Sequence, residues 1–407
     1  MKNKKIDIIF KRNNSTDYLK NKSVKKNKSI IIEFLKNIKK NIHTEKNIFH
    51  TFSEKYKFDL KERELKKFKR FKSIVIIGVG GSVLGAKAIH SFLEHKIKKD
   101  FMFLDNLDEN NFLKIKKKIK INKTLFLIIS KSGNTLETLV NMNLFNNNIF
   151  NSSNTIIVTE DKDNMLNNFS KERKIHLVNH RDYVGGRYSV LSETGMLPAL
   201  FMNLNIKNFK KKILDFFEKD KKNIIVNNSL ATSNLYLSKK INSIVFFNYS
   251  PKLKNLLYWC QQLIAESLGK KGKGLMPIIS SAPRDHHSLL QLYLDGPKDK
   301  IFYIISSKSI HNYKINKDKN KKNFNYLKNK SLEKIVSAQK DAFIRVLTKN
   351  KIPFREIHIN SFSESTIGEL FAYFILETTI VGKLIGVNPY NQPAVEDVKV
   401  FTKKNLS

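Results

Sequence analysis

Short runs of β-branched and aromatic residues recur along most of this chain, and a segment long enough for a helix follows each of them. Strands that alternate with helices are typical of parallel sheets whose two faces are covered by helices. The pattern therefore predicts an α/β chain with two doubly wound parallel sheets, each the centre of an αβα sandwich. The runs form two series, residues 73–78, 101–104, 124–129 and 155–158, and then 241–247, 301–305 and 355–359.

The chain has 407 residues, which is longer than the chains that usually fold around a single hydrophobic core. The gap between the two series predicts two domains, at residues 1–225 and 226–407. Residues 1 to about 70 are polar and basic, with apolar positions at helical spacing, so we expect a helical lead-in that packs as an appendage. The second domain should end in a long helix over residues 364–385 and a tail, and residues 309–330, rich in lysine and asparagine, predict an exposed loop.

The formal net charge of +39 raises the possibility of nucleic-acid binding, because clustered lysines release phosphate counterions. Here the lysines are scattered among asparagine and isoleucine, and no nucleic-acid-binding module is recognisable among them. We therefore expect no nucleic-acid partner. The same charge can attract an anionic substrate toward its site.

Cysteine content and hydropathy bear on the compartment. The single cysteine, Cys260, cannot form an intrachain disulfide, which indicates a reducing environment. Residues 1–14 lack the apolar region of a signal peptide, and the most apolar run, residues 74–86, is shorter than the roughly 20 residues of a membrane span. The sequence predicts a cytoplasmic protein without a membrane partner.

A glycine-rich turn, Gly78-Val-Gly-Gly81-Ser82, lies where a predicted strand meets a predicted helix. Backbone N–H groups there, together with the positive end of the helix, can face an anion. A dinucleotide site also places glycines at this point, and Asp105 stands near the position of a ribose-binding carboxylate, but Val83 occupies the place of the third glycine. An anion site, a dinucleotide site and a tight turn without a ligand all remain open on this motif alone.

The segment Ser130-Lys-Ser-Gly-Asn-Thr-Leu-Glu-Thr138 follows the next predicted strand and begins a helix. An ordinary helix N-cap needs one hydroxyl, or two at most. Here Ser130, Ser132, Thr135 and Thr138 supply four, beside free helix N–H groups. Many neutral donors at one helix start suit a phosphate monoester, so the segment predicts a phosphate site.

A candidate base lies on a later helix, where Gln262 and Glu266 share one face at spacing i, i+4 and the helix ends near Gly269. A positioned carboxylate acting as a general base is worth roughly 10²- to 10⁴-fold in rate. Glu266 and Lys270 also have the spacing of an ordinary surface ion pair, and this motif alone favours that alternative.

Two further segments carry candidate groups. Residues 184–192 contain Gly-Gly-Arg, in which two glycines let the backbone approach a ligand and Arg187 could stabilise an oxyanion, although an arginine in so basic a chain is usually solvated. The run Asp285-His286-His287-Ser288 offers two imidazoles. A zinc site would need a third ligand at metal-binding spacing, and the neighbouring sequence has none.

Five separated motifs resemble those of the phosphoglucose isomerase family, built from sugar isomerase domains, and they occur in the family's order. Together with the glycine-rich turn that begins at residue 78, they reach residue 399 and span nearly all of the chain beyond its first seventy residues. The matching segments, beside the glycine-rich turn, are SKSGNTLET at 130–138, VGGRYSVLS at 184–192, QLIAESLGK at 262–270, DHHS at 285–288 and QPAVEDVK at 392–399.

The resemblance implies a homodimer with shared active sites that interconverts glucose 6-phosphate and fructose 6-phosphate with no metal or nucleotide cofactor. It also implies roles for individual residues. Glu266 would move the proton, Arg187 would stabilise the enediolate, and His287, arriving from the partner subunit, would open the sugar ring with Lys399. Phosphate and substrate contacts would come from Gly81, Ser82, Ser130, Ser132, Thr135, Thr138, Gln262 and Gln392.

Some alternatives remain open at this point. Either His286 or His287 could act in ring opening. A dual phosphoglucose and phosphomannose isomerase would share the same motifs, and a non-catalytic sugar-phosphate sensor would need the hydroxyl-rich loop alone. An NAD-binding oxidoreductase would use the glycine-rich turn, but its nucleotide would compete with the phosphate loop for one edge of the sheet.

Overall fold

The computed structural model describes residues 6–19, 23–311, 313–315 and 326–406. The strands within these ranges are β1 Ile8–Asn13, β2 Ser73–Ile77, β3 Asp100–Leu104, β4 Thr124–Ile129, β5 Thr155–Thr159, β6 His176–Asn179, β7 Ser243–Asn248, β8 Met276–Ser281, β9 Lys300–Ser307 and β10 Phe354–Ile359. The α-helices there are α1 Ser23–Asn41, α2 Glu62–Leu65, α3 Leu84–Leu93, α4 Glu109–Lys118, α5 Leu136–Asn143, α6 Met165–Glu172, α7 Glu193–Phe201, α8 Lys219–Leu237, α9 Lys254–Leu268, α10 Leu290–Asp295, α11 Leu332–Lys349, α12 Glu364–Leu384 and α13 Glu396–Leu406.

The first sheet has the order β3-β2-β4-β5-β6, and all of its strand pairs are parallel. Every residue of β4 is buried, as expected of a central strand covered on both faces. The chain leaves β2 for β3 on one side and then returns to β4 on the other. This reversal makes the carboxyl ends of β2 and β4 the switch point at which such sheets bind ligands.

The second sheet has the order β1-β10-β9-β7-β8, in which β1 alone pairs antiparallel. The prediction of two doubly wound parallel α/β sheets is thus confirmed, with one added strand. The expectation of a purely helical lead-in is wrong at β1, where Ile8 pairs with Ile359 of β10. Only three apolar residues begin this strand, and Lys11 and Arg12 follow on the exposed edge, so the segment is too short and too charged to show strand periodicity.

Two other strands were not predicted, and both lie at sheet edges. Strand β6 has four residues, and β8 contains Pro277, which an edge strand tolerates because one side of its backbone is unpaired. The predicted boundary between residues 225 and 226 lies inside helix α8. The division into domains at 1–225 and 226–407 stays a prediction. In the predicted loop 309–330, residues 312 and 316–325 lie outside the described ranges.

One large hydrophobic cluster joins the two halves of the chain. It contains Phe92 of α3, Trp259 of α9 and Phe371 of α12, all of which are buried. The rings of Trp259 and Phe371 pack edge to face, with their centres 4.8 Å apart. Helix α12 confirms the predicted long helix and is buried along nearly its whole length. Helix α9 is therefore held rigidly between the halves. In the part of the chain that the structure describes, no helix is both long and apolar enough to cross a membrane.

Candidate active site

A cavity of about 310 Å³ lies at the switch point of the first sheet, between its loops, α9 and the start of α13. Of the twelve site residues predicted from sequence, all but Ser130, Thr138 and His287 line this cavity. The lining residues are Val79, Gly81, Ser82, Lys131, Ser132, Thr135, Glu160, Lys162, Gly186, Arg187, Gln262, Glu266, Gln392 and Lys399. Segments that are far apart in sequence thus share one small space.

The glycine-rich turn brings two walls of the cavity into backbone contact. Gly80 has a φ of 57°, and a Cβ atom on Gly81 would lie 2.3 Å from the carbonyl carbon of Gly186. No side chain fits at Gly81 without moving one of the two backbones. The turn that carries Ser82 is therefore fixed against the segment that carries Arg187.

The hydroxyl-rich loop between β4 and α5 is braced from within. The Oγ atom of Ser130 lies 2.8 Å from Oγ1 of Thr135 and accepts a hydrogen bond from the Gly133 N–H. Ser132 and Thr135 face the cavity, whereas Ser130 is buried beneath them. Thr138 is also buried, and its hydroxyl has no hydrogen-bond partner among the described residues.

Three charged residues of the cavity lining were not among the predicted site residues. The buried carboxylate of Glu160, directly after β5, pairs with Lys162 and lies 3.4 Å from the Lys131 ammonium. Lys131 also donates to the carbonyl oxygens of Asp182 and Val184. A signal existed in the sequence, because Glu160 follows a predicted strand at the same sheet edge as the hydroxyl-rich loop.

Arg187 is almost fully buried, and protein acceptors surround its guanidinium. Its Nε donates to Ser267 Oγ at 2.8 Å, and its Nη1 donates to Glu266 Oε2 at 3.3 Å and to Gln392 Oε1 at 2.6 Å. Its Nη2 donates to the carbonyl oxygens of Pro389 and Asn391 at 2.6 and 3.0 Å. This one side chain therefore ties α9 to the segment that leads into α13.

Glu266 is the half-buried carboxylate of the cavity, with 31% of its side chain exposed. Gln262, one turn earlier on α9, donates to Glu266 Oε1 at 2.8 Å, so the predicted shared face is present. The ammonium of Lys270 does not pair with this carboxylate in a surface bridge; it donates to the backbone carbonyls of Glu266 and Ser267 at the end of the helix. Burial lowers the pKa of Lys270 to about 8, and the nearby charge of Arg187 acts in the same direction.

The two histidines after β8 differ in their surroundings. His286 Nε2 lies 2.7 Å from the Tyr249 hydroxyl, and its ring stacks on Phe247. His287 is exposed and does not line the cavity of its own chain. His286 is thus held against residues at the end of β7 in the second sheet and directly after it, whereas the side chain of His287 is exposed.

Lys399 lies on the first turn of α13, where its ammonium pairs with Glu396 at 2.7 Å and 64% of its side chain is exposed. It reaches the cavity, as does Gln392 just before the helix. The described residues contain no group of three or more histidine, cysteine, aspartate or glutamate side chains that could hold a metal ion.

Comparison with known proteins gives consistent results. The family model for phosphoglucose isomerase matches residues 5–282. The chain is 34% identical to a glucose-6-phosphate isomerase of Methanocaldococcus jannaschii over 81% of its own length and 83% of the relative. It is equally similar, at 34%, to a glucose-6-phosphate isomerase of Campylobacter jejuni, over 83% of this chain and 86% of that one.

Solved structures share the fold. A hypothetical protein from Thermus thermophilus superposes with a TM-score of 0.83 at 23% identity, covering 98% of this chain and all of the other. A glucose-6-phosphate isomerase from Chlamydia trachomatis superposes with a TM-score of 0.72 at 20% identity, covering 85% of this chain and 72% of the other.

Proposed function

This chain belongs to the phosphoglucose isomerase family, and we propose that it interconverts glucose 6-phosphate and fructose 6-phosphate. The observation that carries the proposal is the cavity of about 310 Å³ that Ser132, Thr135 and Glu266 line together. Such a cavity is at the lower end of the range for small-molecule sites. Its lining combines neutral hydroxyl donors that suit a phosphate with a carboxylate that can act as a base.

At the phosphate end, Ser82, Ser132 and Thr135 donate to the phosphate oxygens, and the start of α5 adds its free N–H groups. Ser130 keeps Thr135 in place, and the hydroxyl of Thr138 is available to the same group. The ammonium ions of Lys131 and Lys162 raise the local potential, so an anion enters more readily.

At the sugar end, His287 and Lys399 open the pyranose ring by proton transfer at the ring oxygen. The carboxylate of Glu266 then removes the C2 proton and returns it at C1. The proton on O2 moves to O1, so the aldehyde becomes a hydroxymethyl group and C2 becomes the ketone. Negative charge develops on the enediolate oxygens between these two transfers.

Arg187 supports this step in two ways. Its Nη1 group holds Glu266 and Gln392 in place and lies on the cavity wall. The same group is the cation nearest to Glu266, so it stabilises the enediolate charge when it exchanges one of these protein acceptors for the substrate oxygen.

The direct test is a coupled assay with the purified chain, fructose 6-phosphate and a metal chelator, which detects glucose 6-phosphate as it forms. Robust turnover supports the proposal. Absent turnover with sugar-phosphate binding retained would indicate a sensor instead. Mannose 6-phosphate in a parallel assay identifies a dual phosphoglucose and phosphomannose isomerase.

The loop hydroxyls have their own test. We expect the double variant Ser132→Ala/Thr135→Ala to raise KM for fructose 6-phosphate by about tenfold or more, since each lost hydrogen bond to a charged phosphate is worth roughly 1.5 to 3 kcal/mol. Ser153→Ala, an exposed serine outside the cavity, is the control. An unchanged KM in the double variant would show that this loop does not bind the substrate phosphate.

We also propose a homodimer in which each subunit supplies His287 to the other's cavity. The support is its exposed position after the edge strand β8 and its absence from the cavity of its own chain. Such an isologous arrangement is common among two-fold symmetric dimers.

Mixed dimers test this arrangement. Glu266→Gln and His287→Ala chains should each be inactive alone. After the two are mixed, subunit exchange gives mixed dimers with one complete site, so about a quarter of wild-type activity should return if association is random. Mixtures that stay inactive although exchange is verified would place the acting histidine in its own subunit.

The proposed place of action is the cytoplasm, where sugar phosphates of this kind are interconverted. The one cysteine, Cys260, is buried and unpaired, which suits a reducing compartment. No nucleic-acid partner is proposed, because the basic charge is spread over the chain.

A further inference from the structure

The two sheets of this chain have the same plan. When the order of the second sheet is reversed, β8-β7-β9-β10 matches β3-β2-β4-β5 strand by strand, and β1 takes the edge position of β6 but runs in the opposite direction. Strand β7 then corresponds to β2, and β9 corresponds to β4. The carboxyl ends of β7 and β9 are consequently the switch point of the second sheet, the same place in the fold that holds the hydroxyl-rich loop in the first.

The sequences at these two places are also similar. Strand β4 runs into Ile-Ile-Ser-Lys-Ser at residues 128–132, and β9 runs into Ile-Ile-Ser-Ser-Lys-Ser at residues 304–309. One extra serine separates the two patterns. The second switch point therefore has its own run of hydroxyls around a lysine, at the end of β9 and directly after it, which the isomerase site does not use.

A cavity of about 630 Å³ opens at this second switch point. Its polar floor is built from paired side chains, with Ser250 Oγ 2.7 Å from Ser307 Oγ and Ser306 Oγ 2.9 Å from His358 Nδ1. Ser250 and Ser306 are buried, so these hydroxyls face the cavity rather than bulk water.

The charge around the cavity is positive. Lys11, Lys252 and Lys308 line it, and none of the three forms an ion pair with a carboxylate in the described ranges. Glu333 is the acidic residue of the lining, and the further lysine there, Lys340, is engaged by Glu356. The uncompensated ammonium groups favour an anion, and charge-assisted hydrogen bonds to phosphate are strong.

Most of the remaining lining is apolar. Lys252 lies 5.7 Å from the ring centre of Phe362, and the other apolar members are Tyr249, Pro251, Ala282, Pro283, Ile310, Leu332 and Val336. A bare inorganic ion would leave these surfaces unfilled. The volume lies within the range of small-molecule sites and exceeds that of the cavity at the first sheet.

We propose that this cavity is a second binding site, for a phosphate monoester of mononucleotide size whose organic part has a flat apolar face. The phosphate lies against the Ser306–Ser309 run, between the ammonium groups of Lys252 and Lys308. The apolar part lies along Phe362 and Val336. This site does not depend on the isomerase activity proposed for the first cavity.

Calorimetric titration of the full chain with adenosine 5′-monophosphate tests the proposal, and adenosine serves as the probe without phosphate. We expect saturable binding of one nucleotide per chain, with adenosine bound at least tenfold more weakly. Binding should persist in Ser132→Ala/Thr135→Ala, in which the first phosphate loop is disabled. It should weaken at least tenfold in Lys252→Ala/Lys308→Ala, whereas Lys117→Ala, on the exposed face of α4, should bind as the wild type does.

A second variant fills the space instead of removing charge. Ser337→Trp places an indole in the cavity from α11 and should abolish nucleotide binding while the coupled isomerase assay stays unchanged. Binding that is lost in Ser132→Ala/Thr135→Ala and retained in Ser337→Trp would move the nucleotide to the first cavity and overturn the proposal. Absence of saturable binding to the wild-type chain would overturn it as well.

Discussion

Turnover of fructose 6-phosphate by the Glu266→Gln variant is expected to fall by roughly 10²- to 10⁴-fold in kcat, with little change in substrate binding. The amide has the volume of the carboxylate but cannot accept the proton from C1 of fructose 6-phosphate, or from C2 of glucose 6-phosphate in the other direction. In the wild-type chain both oxygens of Glu266 accept hydrogen bonds, from Gln262 and from Arg187. An amide can satisfy only one of these donors with its oxygen, so the local geometry shifts slightly while the cavity keeps its shape.

Steady-state kinetics combined with calorimetric titration of the sugar phosphate separates the two effects. Glu109→Gln, in the exposed first turn of α4, is the matched control and should behave as the wild type does. NMR can follow the exchange of the C2 proton of glucose 6-phosphate with solvent, and this exchange should disappear together with turnover. A variant that retains near-normal kcat would show that another group moves the proton.

Replacing Arg187 with lysine should impair both folding stability and catalysis, although the positive charge is retained. Lysine has one ammonium in place of the planar fork, so it cannot reach the five acceptors that the guanidinium serves. Loss of the guanidinium hydrogen bonds to the carbonyls of Pro389 and Asn391 should lower the free energy of unfolding by about 2 to 4 kcal/mol, although the Tyr188 hydroxyl still donates to Pro389. Release of Glu266 and Gln392 should cost about a further 10²-fold in kcat, the usual penalty for a displaced catalytic group.

Thermal and urea unfolding give the stability change, and the coupled assay gives kcat. Arg63→Lys, an exposed arginine on α2, provides the matched substitution, which should leave both quantities unchanged. If Arg187→Lys matched the wild type in stability and lost activity alone, the guanidinium would act only on the substrate and not as the tie between α9 and the chain end.

Sequence patterns predicted the parts of this molecule that depend on local structure. The strand before Gly78, the loop from Ser130 to Thr135 and the helix that carries Gln262 and Glu266 are each specified by residues close together in the chain. Strong hydrophobic periodicity and fixed helical spacing allow such elements to be predicted from the sequence. The short edge strands β1, β6 and β8 were missed because partners elsewhere in the sheets stabilise them, not their own composition.

The site was less predictable where it depends on distant segments. The environment of Arg187 is built by Ser267 on α9 and by Pro389 and Asn391 near the chain end, some two hundred residues away for the last two. No local sequence pattern predicts that five hydrogen-bond acceptors surround one guanidinium. Glu160 was missed for a related reason, because its place beside Lys131 follows from the order of strands in the sheet and not from a spacing along the chain.

The position of β1 has a consequence for the order of events during synthesis. This strand is made first, but the residues it pairs with in β10, such as Ile359 opposite Ile8, are made some 350 residues later. At 5 to 20 residues per second the wait is roughly 20 to 70 seconds. Every strand of the first sheet is complete well before then, so the first sheet can form on the ribosome while the second closes only after β10 has emerged. Throughout that interval β1 is an unpaired strand, and its charged residues Lys11 and Arg12 help to keep it from joining other chains.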